Sequence, residues 1–375
     1  MRTPELYISF VDDEAMFELG EIQSRLADYL GAPLQSLRVL ASGWETTVFE
    51  FAIASESSRV PSMPPRTPMV LRFYQGPFAD PKGARESSTI GKLSQVGFSV
   101  PTPYAYEPSH DVLGAPFLIM ERINGGPLFS TRSFPTAFKT FSLGFFSFVR
   151  AQVRLHHLEL RKSGLDQILR AYQPDSTDAT TPLLDRMLQI IGARIEAGPL
   201  PGLKEAHARL SARAGEFRSA PLSLLHLDYH PQNVLVRGMR VTGVIDWVNA
   251  DVGDRHLDAA MTAAILSSSA LEHPRWMRDN LAGNSLRTLF TSLYIPLYHA
   301  MAPLDFERFR YCQAVASLLR LSMMGMMHAR GAEVMGYRPE AIGEVTPAVV
   351  RLLSRYAARK SGAAVRLDTA KPLAV

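Results

Sequence analysis

The chain has 375 residues, 46% of them hydrophobic and 20% charged, which supplies a core for one large or two ordinary globular domains. A single cysteine, Cys312, excludes an internal disulfide framework and fits a reducing compartment, so the cytoplasm is the expected location. The 40 basic and 36 acidic residues leave a formal charge of +4; because Lys and Arg are scattered rather than gathered in a stripe, nucleic acid is not an expected partner.

The first residues carry neither a basic-then-apolar leader nor a run of transmembrane length, so no membrane association is expected. Residues 13–30 repeat apolar positions at three and four and stop before Gly31, the pattern of a helix. SLRVLA, TTVFEFAIA and TPMVLRFY are short β-branched or aromatic runs bounded by Gly, Pro and Ser, as in an antiparallel meander, with SESSRVPSMPPRTP read as a solvent loop between the last two. Residues 80–96 are helical in pattern, VGFSVPTPYAYEP is a loop entering a strand, and PFLIMER is a further apolar strand. Beyond INGGPL, which has the composition of a linker, the pattern becomes mainly helical: 134–160, 181–198, 203–218, 254–269 and three later segments. The expected organisation is therefore α+β, with a small antiparallel-sheet domain over residues 1–122 and a larger, mostly helical one over 123–375. The aromatic run FKTFSLGFFSFVRAQVRLHHL, at helical spacing, is read as a core helix.

One hairpin interrupts the helical half. In NVLVRGMRVTGVIDW, two β-branched runs flank Gly238, so the loop before the hairpin and the residue after it are drawn together. HLDYHPQNVLV places Asp228 and Asn233 five residues apart before it, and Asp246 follows it. Three oxygen-bearing side chains with no thiolate among them suit Mg²⁺ rather than zinc or copper. The spacing also suits phosphoryl transfer. One carboxylate, Asp228, orients and deprotonates an acceptor hydroxyl, while the Asn233 amide and the Asp246 carboxylate hold the metal against ATP phosphates.

His226, Asp228, Asn233 and Asp246-Trp247, followed by VGDRHLDAA, resemble the catalytic and metal motifs of the aminoglycoside phosphotransferase and choline kinase-like family, whose bilobal fold is similar to that of the protein kinases. The resemblance spans roughly residues 35–265. It implies ATP and Mg²⁺ as cofactors and a small hydroxylated molecule as acceptor. It also implies that Arg72 in MVLRFY binds phosphate with Glu86 as its ion-pair partner, that Gly43 lets backbone approach the nucleotide, and that backbone around Glu121 and Ile123 meets adenine. His226 is expected to brace the loop and Asp246, Asp254 to cap a helix, and Asp258 to tie the catalytic loop down. The sequence departs from the family at Leu227, where glycine is usual, and at Gln232, which also replaces a common glycine; both are expected to crowd the loop.

Two alternatives remain at this level: a metal-dependent hydrolase using His226, Asp228 and His230 on one face of an extended segment, and a kinase-like module that only binds. For the acceptor, residues 261–375 carry fourteen basic against eight acidic residues, a net charge of +6, which suits a neutral or anionic molecule better than a polycationic aminoglycoside. Tyr294 and Tyr298, one turn apart beside His299, are candidates to pack against it.

Overall fold

A computed structural model of the protein describes residues 13–42, 46–128, 134–160, 164–165, 181–268 and 281–368. The chain divides into two compact units, Met1–Gly83 with Thr102–Arg122 and Ala84–Pro101 with Ile123–Val375.

The first unit opens with α1 (Asp13–Leu30) and a five-stranded antiparallel sheet. Its strands are β1 (Leu34–Ser42), β2 (Thr46–Ile53), β3 (Met69–Tyr74), β4 (Pro103–Glu107) and β5 (Phe117–Glu121), in the order β1-β2-β3-β5-β4. The expected meander is present, with β3 at the centre. Five of its six residues are buried, because a central strand covered on both faces loses the apolar–polar alternation of an edge strand. Leu26 and Leu30 of α1 pack with Phe49, Phe51, Leu71, Phe117 and Ile119 as a fully or nearly fully buried cluster. The segment between β2 and β3 departs from its reading as a solvent loop. Met63 and Val60 join that cluster, and the Ser57 hydroxyl donates to the Leu30 carbonyl at 2.6 Å, so a proline-rich stretch is pinned by two apolar anchors and one cap-like hydrogen bond.

Helix α2 (Ala79–Gln95) begins in the first unit and continues into the second. The second unit is mainly helical: α3 (Phe134–His156), α4 (Leu183–Ala197), α5 (Lys204–Phe217), α6 (Arg255–Ser268), α7 (Leu281–Met301), α8 (Phe306–Arg330) and α9 (Pro347–Ser361). Helix α8 is the hub, packing against α4, α6 and α9. Its 25 residues follow an Asp305 cap whose side chain accepts from the Glu307 and Arg308 amides. The aromatic run of α3 is only partly core: Phe145, Phe148 and Val149 are buried, but Phe146 is about half exposed. Among the described residues no helix is long and apolar enough to cross a membrane.

Two small ladders are set among these helices. In the first, β7 (Leu222–Leu225) pairs with β10 (Asp251–Asp254). In the second, β8 (Val234–Arg237) and β9 (Arg240–Val244) form the expected hairpin, with Gly238 at φ +62° in a two-residue turn that only glycine enters without strain. A third strand was not expected there: β6 (Gly126–Pro127), within the segment read as a linker, pairs with β8.

Candidate active site

The loop 226–233 runs from β7 to β8, and both of its ends are therefore anchored in ladders. Pairing does not stop at β9: the Ile245 amide donates to the Asn233 carbonyl at 2.9 Å, which sets Asp246 beside Asn233 in the backbone. The convergence expected of Asp228, Asn233 and Asp246 is thus built by strand register.

Asp228 stands at the centre, with its side chain about a quarter exposed. The Asn233 Nδ2 donates to the Asp228 carbonyl at 3.0 Å and to its carboxylate at 3.2 Å, which leaves the amide Oδ1 as the oxygen of Asn233 suited to a cation. Two nitrogen groups face the same carboxylate: His230 Nε2 at 3.5 Å and the Arg320 guanidinium NH1 at 3.9 Å. Burial works to raise the Asp228 pKa, but His230 and Arg320 together outweigh it and hold the carboxyl well below the usual carboxylate range. Asp228 is ionised throughout the physiological range, fit to orient a hydroxyl by accepting its hydrogen and to take the proton late, when the oxygen has become acidic.

Leu227 and Asp246 both adopt left-handed backbone, at φ 61° and φ 68°. At Leu227, where the resemblance implies glycine, a branched side chain occupies a backbone region that glycine enters freely and that costs other residues roughly 1–2 kcal/mol. What holds it there is Asp258, whose Oδ1 accepts from the Leu227 amide at 2.6 Å. The other carboxylate oxygen accepts from His156 Nε2 at 2.8 Å and from Gln152 Nε2 at 3.1 Å. Burial alone would raise the Asp258 pKa; the hydrogen bond and charge of His156 prevail and lower it. Asp258 thus sits where a tether for the loop should be, fully buried at the start of α6. Asp254, immediately before α6, accepts from the His256 amide at 2.9 Å as a cap does, and from Arg308 at 3.0 Å.

His226 is fully buried, and both ring nitrogens are committed. Nε2 donates to the Ile245 carbonyl at 3.0 Å, and Nδ1 accepts from the Asp228 amide at 3.3 Å. Desolvation lowers its pKa, so the imidazole is neutral. Its ring packs 4.5 Å from that of Trp247. The bracing of the backbone next to Asp246 is therefore direct. The same bonds disfavour a metal site of His226, Asp228 and His230, since the left-handed Leu227 breaks the alternation such a site requires, and among the described residues no group of three His, Cys, Asp or Glu side chains could hold a metal ion.

Glu86 is fully buried in the second unit, and its carboxylate accepts from the Trp247 amide at 3.0 Å, one residue after Asp246. Arg72 lies in β3 of the first unit, 6% exposed. The Glu121 carboxylate accepts from the amide and hydroxyl of Thr102, and the Glu121 amide donates to the Thr102 carbonyl. Ile123 is buried in the second unit with its side chain seated over Gly243, where a Cβ would collide with it. Gly43 lies outside the described residues. Tyr294 and Tyr298, considered as acceptor platforms, are fully buried: their hydroxyls meet Gln152 at 2.7 Å and His156 at 2.6 Å, inside the network that holds Asp258.

Arg320 was missed by sequence reasoning, as were Gln152 and His156. Its signal was present: a lone cation inside the apolar stretch ASLLRLSMM of α8.

The pattern of the phosphotransferase enzyme family known as APH matches residues 36–304. No match was found among curated proteins. Solved structures resemble the chain over most of its length. A putative aminoglycoside phosphotransferase from Ralstonia eutropha JMP134 superposes with a TM-score of 0.57 at 16% identity, over 90% of this chain and 98% of that one. Aminoglycoside phosphotransferase APH(4)-Ia, as a thermostable mutant bound to ADP and hygromycin B, gives 0.52 at 16% identity over 88% and 98%. A macrolide 2′-phosphotransferase from Brachybacterium faecium gives 0.51 at 16% identity over 88% and 98%. With an antiparallel sheet in one unit, a helical second unit, and Asp228, Asn233 and Asp246 drawn together by strand register, the chain belongs to the APH phosphotransferase enzyme family and has its protein kinase-like α+β fold.

Proposed function

We propose that the protein is an ATP- and Mg²⁺-dependent kinase that transfers the γ-phosphoryl group to a hydroxyl of a neutral or anionic small molecule. The observation that carries this reading is the joining of Asp228 to Asn233 by two hydrogen bonds while Ile245 joins Asn233 to the Asp246 backbone. A module that only binds has no use for an ionised carboxylate held beside two metal-ligand candidates.

The donor set fits magnesium: the Asn233 Oδ1 and the Asp246 carboxylate are hard oxygens. When bound there, Mg²⁺ neutralises phosphate charge that develops during transfer. Asp228 accepts a hydrogen bond from the acceptor hydroxyl, whose oxygen forms the new bond to the γ-phosphorus as the bond to the ADP oxygen breaks; the proton passes to Asp228. Glu86 steadies the Asp246-Trp247 backbone, and Arg72, with Glu86, positions the nucleotide phosphates. The backbone of Glu121 and Ile123 meets adenine. APH(4)-Ia was crystallised with ADP and hygromycin B, which favours adenine nucleotide and an acceptor of comparable chemistry, a hydroxylated small molecule. The net charge of +6 over residues 261–375 argues against a polycationic one.

The test is a nucleotide-consumption screen over hydroxylated metabolites and antibiotics with magnesium present. ADP formation coupled to a phosphorylated product, abolished in Asp228→Ala while ATP binding persists, is the expected result. Saturable turnover of kanamycin-type compounds at micromolar KM, with nothing better among neutral or anionic acceptors, overturns the acceptor class.

A further inference from the structure

Arg320 projects from the middle of α8 to within 3.9 Å of the Asp228 carboxylate, yet its side chain is only 14% exposed. At that distance the pair is electrostatic rather than hydrogen-bonded. Its Nε is buried without a hydrogen-bond partner. A guanidinium carries five N–H donors in a planar fork, and desolvating them without acceptors is costly. A structural Arg–Asp pair normally closes to hydrogen-bond distance, as Arg186 does with Asp251, its NH2 donating to both carboxylate oxygens at 3.0 Å or less. Arg320 does not, although the Asp228 carboxylate lies within 3.9 Å of it. Asp228 itself accepts a hydrogen bond from Asn233 and has an exposed edge, where acceptor sites remain for a hydroxyl. The fork is thus held beside the proposed reacting carboxylate with donor capacity to spare.

We infer that Arg320 is a specificity-determining residue that binds an anionic group, carboxylate or phosphate, on the acceptor, within a few bonds of the hydroxyl that Asp228 orients. This rests on the kinase reading and narrows its acceptor to hydroxy acids and phosphorylated polyols. The separation of 3.9 Å between the two side chains sets the span, because one small molecule touching both must carry its hydroxyl and its anionic group close together. It also excludes polycations for a local reason, since an ammonium group approaching Asp228 meets a buried guanidinium that cannot lose its charge.

Two measurements test the inference. In the first, thermal melting is followed with malonate or inorganic phosphate added to protein saturated with Mg·ADP, so that the nucleotide phosphate site is filled. Stabilisation by these anions is expected in the wild type and in Arg320→Lys, and is expected to vanish in Arg320→Gln; equal stabilisation in all three, or none in the wild type, overturns the assignment. In the second, kcat/KM is compared for paired acceptors: glycerate, serine and homoserine against their methyl esters, and sugar phosphates against the free sugars. The wild type should favour the anionic member, the pair that does so telling carboxylate from phosphate, and Arg320→Gln should lower that preference about 10–100-fold, mainly through KM. A purely structural role would lower kcat on both members alike and leave the preference unchanged, which overturns the inference. Should no acceptor be phosphorylated while the Arg320-dependent stabilisation persists, the kinase reading fails and the anion site stands.

Discussion

Leu227 is held in left-handed backbone by a single hydrogen bond to a buried carboxylate, and the two residues have to be understood together. Asp258→Asn keeps the shape but replaces an acceptor oxygen by a donor facing the Leu227 amide or His156. We expect a loss of about 1–3 kcal/mol in urea denaturation, with kcat reduced more than the KM for ATP. Leu227→Val should be worse than Leu227→Gly, because β-branching is least tolerated at positive φ; the expected gap of about 1 kcal/mol or more is read from the same denaturation curves, and equal stabilities would dismiss the strain argument. The sequence alone carried Asp228, Asn233 and Asp246, because a hairpin with Gly238 in its turn fixes which residues meet at its open end. It did not carry the conformation of Leu227. Backbone sign at a non-glycine residue depends on a partner 31 positions away, and no local pattern records that.

At the scale of elements, the strands and helices with strong periodicity and the β8–β9 hairpin were legible, and the pairings of β6 and β10 were not. β6 and β10 have two and four residues, and their pairing is decided by where tertiary packing brings them rather than by composition. These ladders set the bond between His226 and Ile245 and thereby a pH dependence. His226 has an ordinary value of 6.5 that burial lowers, so the unfolded chain takes up a proton that the folded protein refuses. Stability is full above about pH 6.5 and falls as pH drops below it, by as much as about 1.4 kcal/mol per pH unit for one group. Denaturation midpoints between pH 7.5 and 5 should show this slope, and His226→Asn, if folded, should flatten it. Asp228 and Asp258 act further down the scale: their lowered values contribute stability above their ordinary 3.8 that is lost on stronger acidification.

For the whole molecule, the division of the chain leaves Arg72 in the unit that carries the five-stranded sheet and Glu86 in the unit that carries the loop 226–233. If the two residues position the phosphates as one device, Arg72→Ala and Glu86→Ala should not add. We expect the double variant to lose no more than the worse single variant in kcat/KM for ATP, within about 0.5 kcal/mol. Simple additivity of the two losses would falsify the coupling. The Glu86 bond to the Trp247 amide gives the second variant an extra consequence, a less stable Asp246 backbone, so its loss should be the larger.

The amides of Leu227, Ile245 and Trp247 donate, in turn, to Asp258, to the Asn233 carbonyl and to Glu86. None of these acceptors belongs to the donor's own turn of chain, so none of the three protons can meet solvent by local fraying. Their exchange with deuterium should follow the slowest helices of the second unit rather than its loops. The segment proposed to carry the chemistry then behaves as part of the rigid interior, and any closure over substrate has to come from elsewhere in the chain.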